Sequence, residues 1–252
     1  MEAAGLSNKA QQYLDVTQLL DVLHQFINKI LKTVPRNFHE EVYDRFLLAQ
    51  GDALGGRMRN IGGKIGFEKF QDALIATFKL KRIEFEYFNP QSKIWIKHSS
   101  NTTPNLTDIK YMRWSHARRK RSLCRDINVP IVKKNVDIVL FNEFEPDLKK
   151  TSQLKTFREN PAHYLALGEL KGGIDPAGAD EHWKIANTAL DRVKKSFSLN
   201  GHNPDTFFIG AAIETSMADE IFQQCSRGEL SDAANLNNNK QLAQLCYWIV
   251  GL

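Results

Sequence analysis

The second half of the chain alternates short apolar runs with one long amphipathic segment, and this pattern most constrains the fold. The apolar runs Val136–Phe141 and Tyr164–Lys171 have the length of buried strands, and Gly172-Gly173 follows the second. A helical pattern then extends from about Ala179 to Phe197. The inward face of that helix is predicted to carry Trp183, Ala186, Leu190, Val193 and Phe197. We therefore predict an α/β fold with a mixed central sheet flanked by helices.

Further elements are predicted on both sides of this unit. Ile83–Lys97 is rich in aromatic and β-branched residues and fits strands or a hairpin that turns at Asn89-Pro90. A polar loop is predicted to follow over Ser99–Asp108. Phe207–Ile213 predicts another strand and Met217–Cys225 a short helix. The last segment, which runs from Leu242 to Val250, fits either a helix or a strand.

The first third of the chain has helical periodicity. Helices are predicted over Val16–Leu31, Glu40–Gln50 and roughly Ile65–Lys79, and Pro35 should end the first. The inward residues of the second and third helices are predicted to be Val42, Phe46 and Ala49, and Phe70, Leu74 and Phe78. We expect residues 1–80 to form a helical N-terminal region and residues 81–252 to form a second, α/β domain.

A glycine-rich segment, Gln50–Asn60, is predicted to be a loop between two of these helices and carries Arg57 and Arg59. Backbone N–H groups and arginine side chains in such a loop can bind phosphate. A tight interhelical turn with solvated arginines fits the pattern as well.

Charge and composition favour a polyanionic partner. The net charge is +5 with a pI near 9, and the densest basic run, His116–Arg121, suits either a DNA backbone or a solvated segment. The three cysteines lack metal-site spacing and are expected to be reduced. Neither a membrane helix nor a signal peptide is predicted, so we expect a cytoplasmic protein.

Three charged residues lie within or at the end of the apolar strands. Glu169 and Lys171 are two residues apart, so strand alternation places both side chains on one face. If the two strands pair, Asp137 converges with Glu169. Two carboxylates can bind Mg²⁺, which lowers the pKa of an attacking water, and Lys171 can stabilise the charge that develops on a phosphate. The alternative is a solvent-exposed Glu-Lys pair at a strand end.

Two residues beyond the second strand have several possible roles. His182 could act as a general base, bind DNA or lie on the surface near the helix start. Asp175 could accept a hydrogen bond from a cytosine amino group or shape the turn before Pro176.

The chain resembles the AvaI and BsoBI family of Type II restriction endonucleases, which have the PD-(D/E)XK nuclease fold. The matching segments follow one another in the same order along almost the whole chain, and similarity is weakest between about Lys79 and Arg125. These segments are Phe46–Gly56, Met58–Ile61, Asn128–Phe141, Leu167–Lys184, Phe208–Glu214 and Ser216–Ala218, with a further likeness at Gly5–Ala10.

The resemblance implies a mechanism and a set of site residues. Asp137, Glu169 and Lys171 are expected to be the catalytic acids and lysine, with His182 at the active site and the two acids as metal ligands. Mg²⁺ is the expected cofactor, for which Mn²⁺ could substitute, whereas Ca²⁺ is expected to support binding only. It also implies that Lys9 reaches the DNA and that Lys134 and Asp175 face the bases. Lys133 and the two arginines of the glycine-rich segment, Arg57 and Arg59, complete the expected DNA-binding residues. Residues 1–80 are then expected to contribute to DNA contact and dimerisation, and residues 81–252 to be the catalytic domain.

The resemblance also implies a homodimer that encircles double-stranded DNA and cuts CYCGRG after the first C, which leaves 5′ overhangs. Such a dimer has one active site per strand, and a companion DNA methyltransferase is expected to act separately. The family has a helical segment upstream of the position that matches Met1, so Met1 is interpreted as a late start. Two alternatives are a repair nuclease of the same fold and a catalytically silent, accessory DNA-binding homologue.

Overall fold

The computed structural model describes residues 1–33, 35–98, 109–174 and 178–252. These residues form two compact units, Met1–Ile61 and Gly62–Leu252. The predicted polar loop over Ser99–Asp108 lies outside the described residues.

The first unit is helical, as predicted. It contains α1 (Asn8–Gln11), α2 (Val16–Thr33) and the first part of α3 (Phe38–Lys81), together with short 3-10 helices at Glu2–Ala4 and Pro35–Asn37. Ile30 of α2 is buried. The inward position predicted for Phe46 is wrong, because 39% of this residue is exposed.

The predicted glycine-rich loop at Gln50–Asn60 is wrong, because α3 continues through it without a break. Glycine is unfavourable inside a helix by about 1 kcal/mol, and a cost of this size does not by itself end a helix. Phe70, Leu74 and Phe78 of the same helix are fully buried, as predicted, and pack against the sheet of the second unit.

The second unit is built on one eight-stranded sheet. Its strands are β1 (Phe85–Asn89), β2 (Ile94–Lys97), β3 (Tyr111–His116), β4 (Arg119–Val129), β5 (Lys134–Phe141), β6 (Tyr164–Lys171), β7 (Asp205–Gly210) and β8 (Asp232–Asn235). Their spatial order is β2-β1-β3-β4-β5-β6-β7-β8. The pairs from β2 through β6 are antiparallel, whereas β6, β7 and β8 are parallel.

Helices pack against this mixed sheet. They are α4 (Thr151–Glu159), α5 (Ala179–Ser198), α6 (Thr215–Ser226) and α7 (Asn239–Gly251), with a 3-10 helix at Pro161–His163. All five predicted inward residues of α5 are buried. The segment that fitted a helix or a strand is the helix α7. The α/β class with a mixed central sheet is thus confirmed, while strand β8 is an element that the sequence pattern does not predict.

Two hairpins follow from local turn chemistry. The predicted turn at Asn89-Pro90 connects β1 and β2, and the Asn89 side chain accepts hydrogen bonds from the backbone N–H groups of Gln91 and Ser92. Within the basic run, Ala117 and Arg118 have positive φ and form the turn between β3 and β4. Arg121 is buried and donates to backbone carbonyl groups, so this member of the run has a structural role.

All three cysteines are free, as expected, and Cys124 and Cys246 are buried. No helix among the described residues is long and apolar enough to cross a membrane.

Candidate active site

Pairing of β5 with β6 brings the two predicted acids together. Ile138 of β5 lies opposite Gly168 of β6 in an antiparallel register. Continuing that register by one position places Asp137 opposite Glu169. Cross-strand neighbours share a face of the sheet, and alternation adds Lys171 to the same face. The predicted convergence of the three side chains is therefore confirmed.

The ammonium group of Lys171 joins the two carboxylates. It donates to Oε2 of Glu169 at 2.8 Å and to Oδ2 of Asp137 at 3.2 Å. Only 7% of the Glu169 side chain is exposed, compared with 23% of Lys171 and 29% of Asp137. The alternative of a solvent-exposed Glu-Lys pair is therefore wrong, since the cluster opens to solvent mainly through the other two side chains.

Asp137 also fixes the backbone of the neighbouring strand. Its Oδ2 atom accepts a hydrogen bond of 2.9 Å from the backbone N–H of Leu170, between the two charged residues of β6. One carboxylate oxygen therefore positions both the strand and the lysine. Nothing in the sequence signals this contact, because it depends on the cross-strand register.

Burial and charge shift the pKa values of the cluster. Burial, reinforced by the negative charge of Asp137, raises the pKa of Glu169 to about 7, although Lys171 opposes this shift. Burial alone would lower the pKa of Lys171, but the adjacent carboxylates outweigh it and raise that pKa. Lys171 is therefore held as a cation, while Glu169 can exchange its proton near neutral pH.

The donor set suits a hard divalent cation. Mg²⁺ accepts one or two carboxylates and keeps several waters, so the converging oxygens of Asp137 and Glu169 fit it. No group of three or more His, Cys, Asp or Glu side chains placed to hold a metal occurs in the described part of the chain. A cation bound by two carboxylates at the exposed side of the cluster would keep coordination positions for water and a phosphate.

His182 lies in the first turn of α5 and is only partly exposed. Its imidazole packs over the chain just beyond β6, because a Cβ atom at Gly173 would lie 2.6 Å from its Cε1 atom. Gly173 is two residues past Lys171. The histidine is thus at the exit of the strand that carries the lysine, which is the position the sequence suggested.

The expected DNA-binding residues are spread along the chain. Lys133 and Lys134 are exposed at the β4–β5 turn, and Lys134 begins the strand that carries Asp137. Lys9 is exposed in α1. Arg57 and Arg59 belong to α3, but their side chains lie outside the described structure, as does the whole of Asp175.

Comparison with known proteins places this chain in a family. A family model described as restriction endonuclease BsobI matches residues 1–252. The chain belongs to this restriction endonuclease family. Its members include the Type II restriction enzyme AvaI of Nostoc sp. (strain PCC 7120) and of Anabaena variabilis, each 42% identical over 252 residues. The Type II restriction enzyme BsoBI of Geobacillus stearothermophilus is 42% identical over 253 residues.

The family match covers all the elements that build the site. The alignments include 99–100% of this chain and 77–78% of each relative. Type II restriction enzymes are site-specific deoxyribonucleases that act on double-stranded DNA. The BsobI family therefore confirms the resemblance stated from the sequence, the restriction-endonuclease-like fold and the class of enzyme.

Proposed function

We propose that this chain makes Mg²⁺-dependent double-strand cuts at the palindromic, degenerate site CYCGRG, after the first C, and leaves 5′ overhangs. The observation that carries the chemistry is the Lys171 ammonium held between Asp137 and Glu169 at the end of a buried strand. Support for the target comes from the family, whose members AvaI and BsoBI are Type II restriction enzymes.

In this proposal, Asp137 and Glu169 hold Mg²⁺, which neutralises phosphate charge and lowers the pKa of the attacking water. Mn²⁺ is expected to replace it, and Ca²⁺ to support binding only. Lys171 positions the water or a phosphoryl oxygen and stabilises the negative charge that grows in the transition state. His182, whose imidazole packs over Gly173 beyond the strand, is proposed to take a proton from the water.

The raised pKa of Glu169 fits a site at which a proton and a metal ion exchange. A carboxyl with a pKa of about 7 is largely protonated in slightly acidic solution and binds metal as its carboxylate form. Metal and proton therefore compete for the same oxygen atoms. Cleavage is expected to increase as pH rises towards 7 and above.

We propose a homodimer with one active site per DNA strand, an arrangement that fits a palindromic target. Support comes from an exposed apolar stripe on α3, whose members recur at helical spacing. They are Tyr43, Leu47, Leu54, Met58 and Ile61, which are 47–60% exposed. Exposed apolar surfaces of this kind are typical of protein interfaces, and a second copy of the chain is the proposed occupant.

We propose a functional division in which residues 1–80 contribute to dimerisation and DNA contact and residues 81–252 carry the chemistry. Lys9, Arg57, Arg59, Lys133 and Lys134 are proposed to bind DNA, and Asp175 to contact a base. A cytoplasmic location and a separate companion methyltransferase accompany the restriction function.

Cleavage and binding measured side by side test this proposal. The purified chain should linearise a plasmid with Mg²⁺, and should bind the same DNA without cutting when Ca²⁺ replaces it. Binding with both metals and cleavage with neither would instead identify a catalytically silent DNA-binding homologue.

A further inference from the structure

Helix α3 and the end of β6 are in direct backbone contact. A Cβ atom at Gly66 would lie 3.0 Å from Cα of Gly172, and one at Gly62 would lie 3.1 Å from the Gly172 carbonyl oxygen. A Cβ atom at Gly172 would overlap the carbonyl group of Gly62. Glycine at all three positions therefore allows this close approach, which a side chain at Gly172 would prevent and one at Gly62 or Gly66 would crowd.

This contact is one residue away from Lys171. Gly172 follows Lys171 in the chain, and Gly173 in turn lies beneath the imidazole of His182. The other neighbours of a Cβ atom at Gly66 would be Leu170 and Leu236, so Gly66 also faces β6. The helix backbone thus contacts the residues on either side of Lys171.

Other glycines of the same helix show that the contact is specific. Cβ atoms at Gly51 and Gly63 would have no neighbour within 4 Å. Each glycine is unfavourable for the helix, yet a Cβ atom at Gly62 or Gly66 would meet a facing backbone and one at Gly51 or Gly63 would not. Gly62 and Gly63 are adjacent in α3, so the main difference between them is the surroundings of an added Cβ atom.

We propose that Gly62 and Gly66 are positioning residues for cleavage, which let α3 pack against Gly172 and so hold the Lys171 ammonium at its carboxylates. This inference rests on the proposed nuclease function. An alanine methyl group at position 62 would push Gly172 by a few tenths of an ångström. Misplacing a catalytic group by 1 Å can reduce a rate by about 100-fold, so a displacement of this size is enough to slow cleavage measurably.

The test compares Gly62→Ala with the adjacent Gly63→Ala in the full chain. Both substitutions raise helix propensity equally, but only the first meets Gly172. We expect Gly63→Ala to cleave at the wild-type rate. For Gly62→Ala we expect single-turnover cleavage with Mg²⁺ to fall about tenfold, with unchanged affinity for the same DNA duplex in Ca²⁺. Gly66→Ala is a second variant with the same expected loss.

The outcomes separate this inference from the function on which it rests. Equal cleavage rates for Gly62→Ala, Gly66→Ala and Gly63→Ala, with an active wild-type protein, would overturn the positioning role and leave the nuclease function intact. A parallel loss of DNA binding, thermal stability and cleavage would show a purely structural contact and would also overturn it. An inactive wild-type protein would refute the nuclease function and this inference together.

Discussion

The Lys171 ammonium lies 2.8 Å from Oε2 of Glu169, two residues earlier on the same strand. Both side chains emerge on one face of β6, where Asp137 of the paired strand completes the group. Burying like charges together is unfavourable unless a cation separates them, and Lys171 fulfils that requirement in the protein alone. Each member of the cluster can be tested separately.

Replacing Lys171 with alanine should reduce cleavage by at least about 100-fold, because the charge that develops on the phosphate loses its stabilising cation. Site-specific DNA binding in Ca²⁺ should change little, since this interaction strengthens mainly in the transition state. Single-turnover cleavage and equilibrium binding measure the two effects. Lys155→Ala, on an exposed part of α4, is the control. Equal losses of binding and cleavage would contradict the assigned role.

Replacing Asp137 with asparagine or with alanine should abolish cleavage in both cases but affect stability differently. Both substitutions remove the charge beside Glu169, yet the asparagine amide keeps an oxygen that can accept the Leu170 N–H. Alanine leaves that donor without its partner, which costs about 1–3 kcal/mol. Urea unfolding of Asp137→Asn and Asp137→Ala should show the difference. If the two variants unfold at the same urea concentration, Asp137 does not fix the strand as described.

Glu169 should make the free energy of unfolding of the metal-free protein depend on pH. Its pKa rises from 4.5 to about 7 on folding, so the folded state binds this proton more tightly than the unfolded chain. The free energy of unfolding should therefore fall as pH increases through that window. Glu169→Gln cannot titrate and should lack this part of the decline, whereas Glu159→Gln on α4 should keep it. Urea unfolding without metal, at several pH values, measures both. Identical pH profiles for wild type and Glu169→Gln would contradict the raised pKa.

The apolar stripe on α3 can be tested by charge insertion. The double substitution Leu54→Glu and Met58→Glu places two carboxylates on the stripe and should convert a dimer into monomers, because their burial at an interface is unfavourable. Asn60→Glu, on another face of the helix, is the matched control and should leave the dimer intact. Sedimentation velocity distinguishes the two forms. A wild-type monomer, or a dimer that survives the double substitution, would exclude this surface as the dimer interface.

Much of the catalytic unit can be predicted from local sequence. Tyr164–Lys171 is a short apolar run of strand length and α5 has a period of 3.6 residues, so this strand and the inward face of α5 are predicted correctly. Asp137, Glu169 and Lys171 are recognisable because charged residues are unfavourable in apolar strands.

Several features escape the sequence prediction, and some of them depend on contacts between distant segments. The glycines of Gln50–Asn60 indicate a loop, but α3 continues through them. Strand β8 (Asp232–Asn235) is short and lacks apolar alternation, so only its parallel pairing with β7 reveals it. The Leu170–Asp137 hydrogen bond likewise needs the register of two strands that are far apart in sequence.

The most direct test of the account is digestion of a sequenced plasmid with CYCGRG sites by the purified chain in Mg²⁺, with the DNA ends mapped by sequencing. We predict double-strand cuts after the first C of each site, and none when Glu169→Gln replaces the wild-type protein. An intact plasmid, cuts at unrelated sequences, or full activity of Glu169→Gln would contradict a restriction endonuclease that acts through Asp137, Glu169 and Lys171.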